Sequence, residues 1–161
     1  MSESFTIKNF NKVNDVRFER EPLYASEGGS LTSGTLANKL GASVDTLPPG
    51  KRSTPFHFHH VQEEMFIILK GNGTLRIAER MVAIEEGDVI TIPPGKAWPH
   101  QIINTSSLPL MYMSVSTMEF PEVCEYPDSD KYLVKSTNQK DDGFRVLDFR
   151  GKGVDYWEGE P

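Results

Sequence analysis

The sequence predicts an all-β fold, a sandwich or barrel built from many short strands. Three observations lead there. Short segments with strand character recur along the middle of the chain. Tight-turn chemistry separates them at close intervals. No window carries a sustained 3.6-residue apolar period with caps, so helix signals are weak.

In chain order, the strand segments are Ala42–Leu47, Phe56–His59, Glu64–Leu69, Gly73–Ala78, Met81–Ile84, Val89–Ile92, His100–Asn104 and Leu110–Ser116. The turns between them read Leu47-Pro48-Pro49-Gly50, Lys70-Gly71-Asn72-Gly73, Glu85-Glu86-Gly87-Asp88 and Pro93-Pro94-Gly95. Glu79-Arg80 makes a tight hairpin between two of the strands. The Gly- and Ser-rich stretch Ala25–Gly34 reads as a flexible loop, and Ser136–Gly143 as another. The expected core is Val44, Leu69, Leu75, Ile77, Val89 and Ile92. Three regions follow: an N-terminal arm (1–35), a barrel (36–117) and an acidic C-terminal extension (118–161).

The chain of 161 residues is long enough to bury a core without cross-links. Its net charge of −6 argues against a nucleic-acid or anionic-membrane partner, each of which calls for a basic face. The charge is uneven: Glu119–Pro161 holds 11 acidic and 6 basic residues, and the rest is nearly balanced. The single cysteine, Cys124, forms no internal disulfide, which suits a reducing compartment. Residues 1–20 contain no apolar stretch of signal-peptide length. The longest apolar run, Met65–Leu69, is too short to span a bilayer. A cytoplasmic protein is the expectation.

The four histidines cluster in the central third of the chain. His57 and His59 are two apart, so in a strand they share a face. Glu64 opens the next alternation, and a bend around His60–Glu63 returns it to the histidine face. His100 opens another alternation after Pro93-Pro94-Gly95. Three imidazoles and a carboxylate are a donor set suited to one divalent ion: zinc, manganese, iron or nickel. His60 has the opposite parity and reads as a bend or surface residue.

Gly50-(x6)-His57-x-His59-(x4)-Glu64-(x6)-Gly71 resembles the first motif of the cupin superfamily. Gly87-(x5)-Pro93-x-Gly95-(x4)-His100-(x3)-Asn104 resembles the second. The resemblance implies a double-stranded β-helix barrel with N- and C-terminal extensions. It also implies that His57, His59, Glu64 and His100 ligate one metal. Glu63 competes for the carboxylate role, but Glu64 keeps the spacing to Gly71. Glu125–Ser129 and Val154–Glu160 are similar to the tails of small bacterial cupins labelled sugar-phosphate isomerases, a label resting on fold likeness.

Two reaction classes fit such a site. In the first, a hydroxy-carbonyl substrate chelates the metal and is isomerised. That route needs a general base, for which Glu63 and Tyr112 are candidates. A phosphorylated substrate also needs an anion anchor, for which Lys51, Arg52 and Lys96 are candidates. In the second, a redox metal binds an organic substrate with dioxygen in a dry pocket supplied by Phe66, Ile68 and Ile102. A non-enzymatic small-molecule cup is a third class. Trp98, just before His100, is a pocket lid or a rim residue. The aromatic residues of the two arms, among them Phe18, Phe149 and Trp157, lead to the expectation of a homodimer.

Overall fold

The computed structural model describes residues 5–137, 143–151 and 153–161. Thirteen strands are described: β1 Val16–Arg20, β2 Tyr24–Ser30, β3 Leu40–Leu47, β4 Phe58–His59, β5 Glu64–Lys70, β6 Asn72–Ile77, β7 Arg80–Glu85, β8 Val89–Ile92, β9 His100–Ile103, β10 Leu110–Thr117, β11 Glu122–Tyr126, β12 Lys131–Lys135 and β13 Arg145–Phe149. Two short 3-10 turns, Phe10–Lys12 and Pro127–Ser129, are the helical elements described. No helix among the described residues is long and apolar enough to cross a membrane.

The strands form three antiparallel sheets. One has six strands in the order β1-β2-β3-β10-β5-β8, one has four in the order β13-β12-β11-β4, and one has three in the order β7-β6-β9. Strand parity fixes what faces inward. Across β3, β10 and β5, Ser43 lies opposite Ser114 and Ser114 opposite Phe66. In the next row Asp45 faces Tyr112, and Tyr112 faces Ile68. In the row on the other side, Gly41 faces Ser116 and Ser116 faces Glu64. One face of the large sheet therefore runs from apolar packing at Ile68 to a polar end at Glu64.

The apolar core comprises Leu47, Phe66, Ile68, Leu75, Ile77, Ile84, Ile92, Ile102, Leu110 and Tyr112. Val44 is buried as well. Two expected core residues are not part of it. In β8, Ile90 and Ile92 pair with Phe66 and Glu64, so Val89 points outward and is 59% exposed. Leu69 has the parity opposite to Phe66 and Ile68 and is only half-buried.

The expected loop Ala25–Gly34 is largely strand β2. Its glycines answer a packing demand: a Cβ on Gly28 would come within 1.9 Å of the Val44 carbonyl oxygen. Gly71 serves the turn between β5 and β6. It has φ +85°, and a Cβ there would meet the Pro109 carbonyl at 2.6 Å. The expected loop Ser136–Gly143 closes the β12–β13 hairpin at Ser136 and Phe144; its interior, 138–142, lies outside the described residues.

Candidate metal centre

His57 immediately precedes β4 and His59 ends it. His57 and His100 exchange backbone hydrogen bonds, His57 N–H to His100 C=O at 3.1 Å and the reverse at 2.8 Å. That bridge sets the two motif segments side by side. After His59 the chain turns through His60–Glu63, and Glu64 opens β5 on the histidine side. The turn before His100 is pinned where the Gly95 N–H donates to the His59 carbonyl at 2.7 Å. Asn104 is fully buried and serves structure. Its amide donates to the carbonyls of Leu47 and Leu108, each at 2.8 Å.

Glu64 Oε2 is the meeting point. It lies 2.7 Å from His100 Nε2, 3.4 Å from His59 Nε2 and 3.9 Å from His57 Nε2. All four side chains are nearly withdrawn from solvent. Each imidazole is steadied through its other nitrogen. His57 Nδ1 lies 2.9 Å from the Pro55 carbonyl and His100 Nδ1 3.0 Å from the Trp98 carbonyl. His59 Nδ1 lies 3.1 Å from Glu122 Oε1. Carbonyl and carboxylate oxygens accept, so each Nδ1 carries a proton and each Nε2 faces Glu64, the side from which it could ligate an ion once free of its proton.

The electrostatics fit this grouping. Burial, with the charge of His100 beside it, lowers the His57 imidazole to about 4. Burial also acts to lower His59, but the Glu122 and Glu64 carboxylates outweigh it and raise His59 to about 9. Burial acts to raise Glu64, yet the hydrogen bond from His100 and the charge of His59 beside it hold it well below the usual carboxylate range. His59 Nε2 is buried and has no hydrogen-bond partner among the described residues. Such an orphaned nitrogen, facing two more imidazoles and an ionised carboxylate, is what a cation would satisfy. Three imidazoles and one carboxylate suit a first-row divalent ion.

The centre opens on a cavity of about 400 Å³. His57, Glu64 and Phe66 line it with Val16 and Phe18 of β1, Ser26 of β2, Ser43 and Asp45 of β3, Ser53, Thr54, and Tyr112 and Ser114 of β10. Burial lifts the Asp45 carboxyl above its ordinary value, against hydrogen bonds from Ser26 and Ser43. Tyr112 is buried and its hydroxyl bonds Ser53. Burial raises it strongly, so it stays protonated.

Several sequence candidates lie elsewhere. Ile68 and Ile102 sit in the apolar core and do not line this cavity. Glu63 is exposed, has the parity opposite to Glu64, and borders a different groove. Lys51 pairs with Glu21 at 2.6 Å. Arg52 donates to Gln101 at 3.2 Å and stands over the Tyr24 ring. Lys96 borders an outer groove with His60 and Glu125. Trp98 is 38% exposed, and its carbonyl steadies His100. His60 turns away to Glu125 at 2.7 Å.

Two site residues carried no sequence signal, Asp45 and Glu122. Strand alternation marked Ala42–Leu47, but a carboxylate facing the barrel interior runs against the apolar-inside rule. Glu122 lies in a segment with no motif. Cys124, distant in sequence, pairs with His59 across β11 and β4 and borders the site. Burial pushes its thiol up to about 12, so without an ion beside it Cys124 stays a thiol.

Comparison with known proteins agrees with this geometry. Residues 43–116 match the family model for the cupin domain, a segment that holds all four convergent residues. The chain belongs to the cupin superfamily. Auxin-binding protein 5 of Zea mays is 30% identical to this cupin over 118 residues, covering 63% of this chain and 75% of that one. A solved structure from Acidithiobacillus ferrooxidans, provisionally named a sugar phosphate isomerase, is 25% identical with a TM-score of 0.70 and covers 81% of this chain and 80% of that one. A second, from Silicibacter pomeroyi and named a sugar phosphate isomerase from a cupin superfamily, is 18% identical. Its TM-score is 0.76, and the match covers 92% of this chain and 95% of that one, a likeness of fold alone.

Proposed function

We propose that this cupin is a metal-dependent enzyme acting on a small hydroxylated metabolite, with isomerisation of a hydroxy-carbonyl compound as the reaction. One observation carries the reading. The Nε2 atoms converge on Glu64, and His57 and Glu64 line a cavity whose other polar groups are hydroxyls and one further carboxylate, Asp45. His57, His59, Glu64 and His100 would hold the ion. When bound, it would act as a Lewis acid toward a substrate oxygen and make the neighbouring C–H more acidic.

The chain's own groups supply the rest. The hydroxyls of Ser26, Ser43, Ser53 and Ser114 can each donate and accept toward substrate hydroxyls. Tyr112, kept protonated, donates. Asp45, with its proton affinity raised by burial, is the base or acid nearest in character to the task, replacing Glu63 in that role. No Lys or Arg is among the residues lining this cavity, and two carboxylates are. That favours an uncharged hydroxyl-bearing end of the substrate here and gives no support to a phosphate held in this cavity. The hydroxyl-rich lining also disfavours the dry pocket that the dioxygenase reading calls for. The names of the isomerase-like neighbours lend support to the reaction class only.

The test is solvent exchange. Protein loaded with Mn²⁺ or Zn²⁺ under anaerobic conditions is incubated with aldoses and ketoses in D₂O and followed by NMR. Deuterium entering the carbon next to the carbonyl, and loss of most of that exchange in Asp45→Asn, is the expected result. Dioxygen uptake with Fe²⁺ in place of exchange would replace this reading with the dioxygenase. Retention of a small molecule with neither reaction would replace it with a binding protein. The exposed Phe18, Phe144, Phe149 and Trp157 support a homodimer as part of the same proposal.

A further inference from the structure

The four ligand candidates are steadied in two different ways. His57 and His100 lean on main-chain carbonyls, Pro55 and Trp98, each two residues before the histidine. No side-chain substitution removes those acceptors. His59 leans on a side chain, and that side chain comes from β11, outside residues 43–116.

Glu122 is fully buried. Strand β11 runs beside β4, with Cys124 opposite His59 and Glu125 opposite Phe58, which brings residue 122 against the turn after His59. Its Oε1 accepts from His59 Nδ1 and from the His60 N–H, both at 3.1 Å. Its Oε2 accepts from the N–H groups of Val61 at 3.1 Å and Gln62 at 3.2 Å. The carboxylate thus closes a nest of three consecutive amides and one imidazole. The amides fix where the carboxylate sits, and the carboxylate fixes the ring. The consequence is visible at the other nitrogen: His59 Nε2 is left buried and unpartnered among the described residues, 3.4 Å from Glu64 Oε2.

We infer that Glu122 is a positioning residue for the metal centre: it holds His59 with Nε2 presented to the ion, and so sets metal affinity from outside the barrel motifs. This rests on the reading of His57, His59, Glu64 and His100 as a metal centre. An outer carboxylate of this kind typically changes metal affinity 10–100-fold, roughly, when removed.

The test uses zinc alone as the probe. Metal-free wild type and Glu122→Gln are titrated with Zn²⁺ by calorimetry, and the folding of each metal-free protein is followed by circular dichroism and thermal melting. The substitution keeps the size and one acceptor oxygen but turns an amide toward two donors. The expected result is a folded variant that binds Zn²⁺ about 10–100-fold more weakly than wild type. A folded variant with unchanged affinity overturns the inference and leaves the metal centre standing. Wild type that binds no Zn²⁺ overturns the metal reading and the inference with it. A readout in wild type needs no variant. In zinc-loaded protein, ¹⁵N NMR of the histidine rings should show His59 bound through Nε2 with Nδ1 protonated. Binding through Nδ1, or a ring that does not respond to zinc, would refute the role of Glu122 even if Glu122→Gln failed to fold.

Discussion

His57 and His100 are oriented by carbonyls two positions before each of them, whereas His59 is oriented by a carboxylate 63 positions further along the chain. The first arrangement is local. The turn or strand that carries the ligand also carries its support. The second joins two regions, the motif-bearing strands within 43–116 and the C-terminal strands β11–β13. The barrel strands supply the donors, and the C-terminal segment supplies the brace for one of them. On this reading, donors gathered by a compact motif still depend on a distant strand for the orientation of one of them.

The largest effect that bears on this difference comes from removing a locally braced ligand. His57→Ala or His100→Ala should reduce metal retention below detection by elemental analysis and abolish activity. Both variants should stay folded by circular dichroism, because the strands are held by their ladders and the apolar core rather than by the ion. Cooperative unfolding of either variant at ambient temperature would show the ion to be structural.

Next in size is a change in the core that leaves the donors untouched. Leu110 is fully buried and sits in the core cluster. Leu110→Ala should destabilise by about 2–5 kcal/mol in urea denaturation, the usual cost of such a cavity. The zinc affinity of the folded fraction should be unaltered. A matching loss of affinity would mean that core packing, rather than local bracing, holds the ligands in place.

A smaller effect is expected where the two regions are joined at the surface. Arg76 of β6 makes a two-pronged pair with Asp128, at 2.6 and 2.8 Å, while its guanidinium lies 3.6 Å from the centre of the Phe56 ring. The Arg76 hydrogen bond holds the Asp128 carboxyl below its ordinary value. The folded state therefore binds that proton less readily than the unfolded chain. The pair's contribution is complete above the unfolded aspartate value of about 3.9 and is lost as pH falls through the lowered folded value. Because Asp128 is half-exposed, Asp128→Asn should cost no more than about 1 kcal/mol at pH 7. Chemical denaturation at pH 7 and pH 3 should show the difference between wild type and variant shrinking in acid.

The smallest effect concerns Cys124, which borders the histidines from the C-terminal side. It is 3% exposed and its thiol is pushed up to about 12. Iodoacetamide at pH 8 should leave it unmodified in native protein and alkylate it once urea unfolds the chain. Rapid labelling of native protein would mean that β11 separates readily from β4.

The convergence of His57, His59, Glu64 and His100 was legible in the sequence because it follows from short-range geometry. Two histidines at period two, a turn, and a strand that opens on Glu64 leave few alternatives. The strands β3 to β10 were legible for the same reason, since most alternate or lie between clear turns. Strand β1 was not, because all five of its residues are exposed and its alternation is only Val16 and Phe18. Strand β2 was hidden by glycines that serve close packing, Gly28 against Val44 and Gly29 against Val13 and Asp15. Asp45 faces the interior as a polar residue, which the apolar-inside rule does not anticipate. Glu122 acts through a pairing of β11 with β4, and nothing near it in sequence marks that contact. The lysine and arginine candidates do not line the cavity beside His57, because nearness in sequence to a ligand does not fix where a long side chain points.

The central claim is that the barrel gathers one ion among four named side chains. The direct measurement is an anomalous difference map from crystals grown with Mn²⁺. It should show a single strong peak enclosed by His57, His59, Glu64 and His100. A well-ordered map without a peak there, or with manganese bound only elsewhere on the chain, would contradict the account.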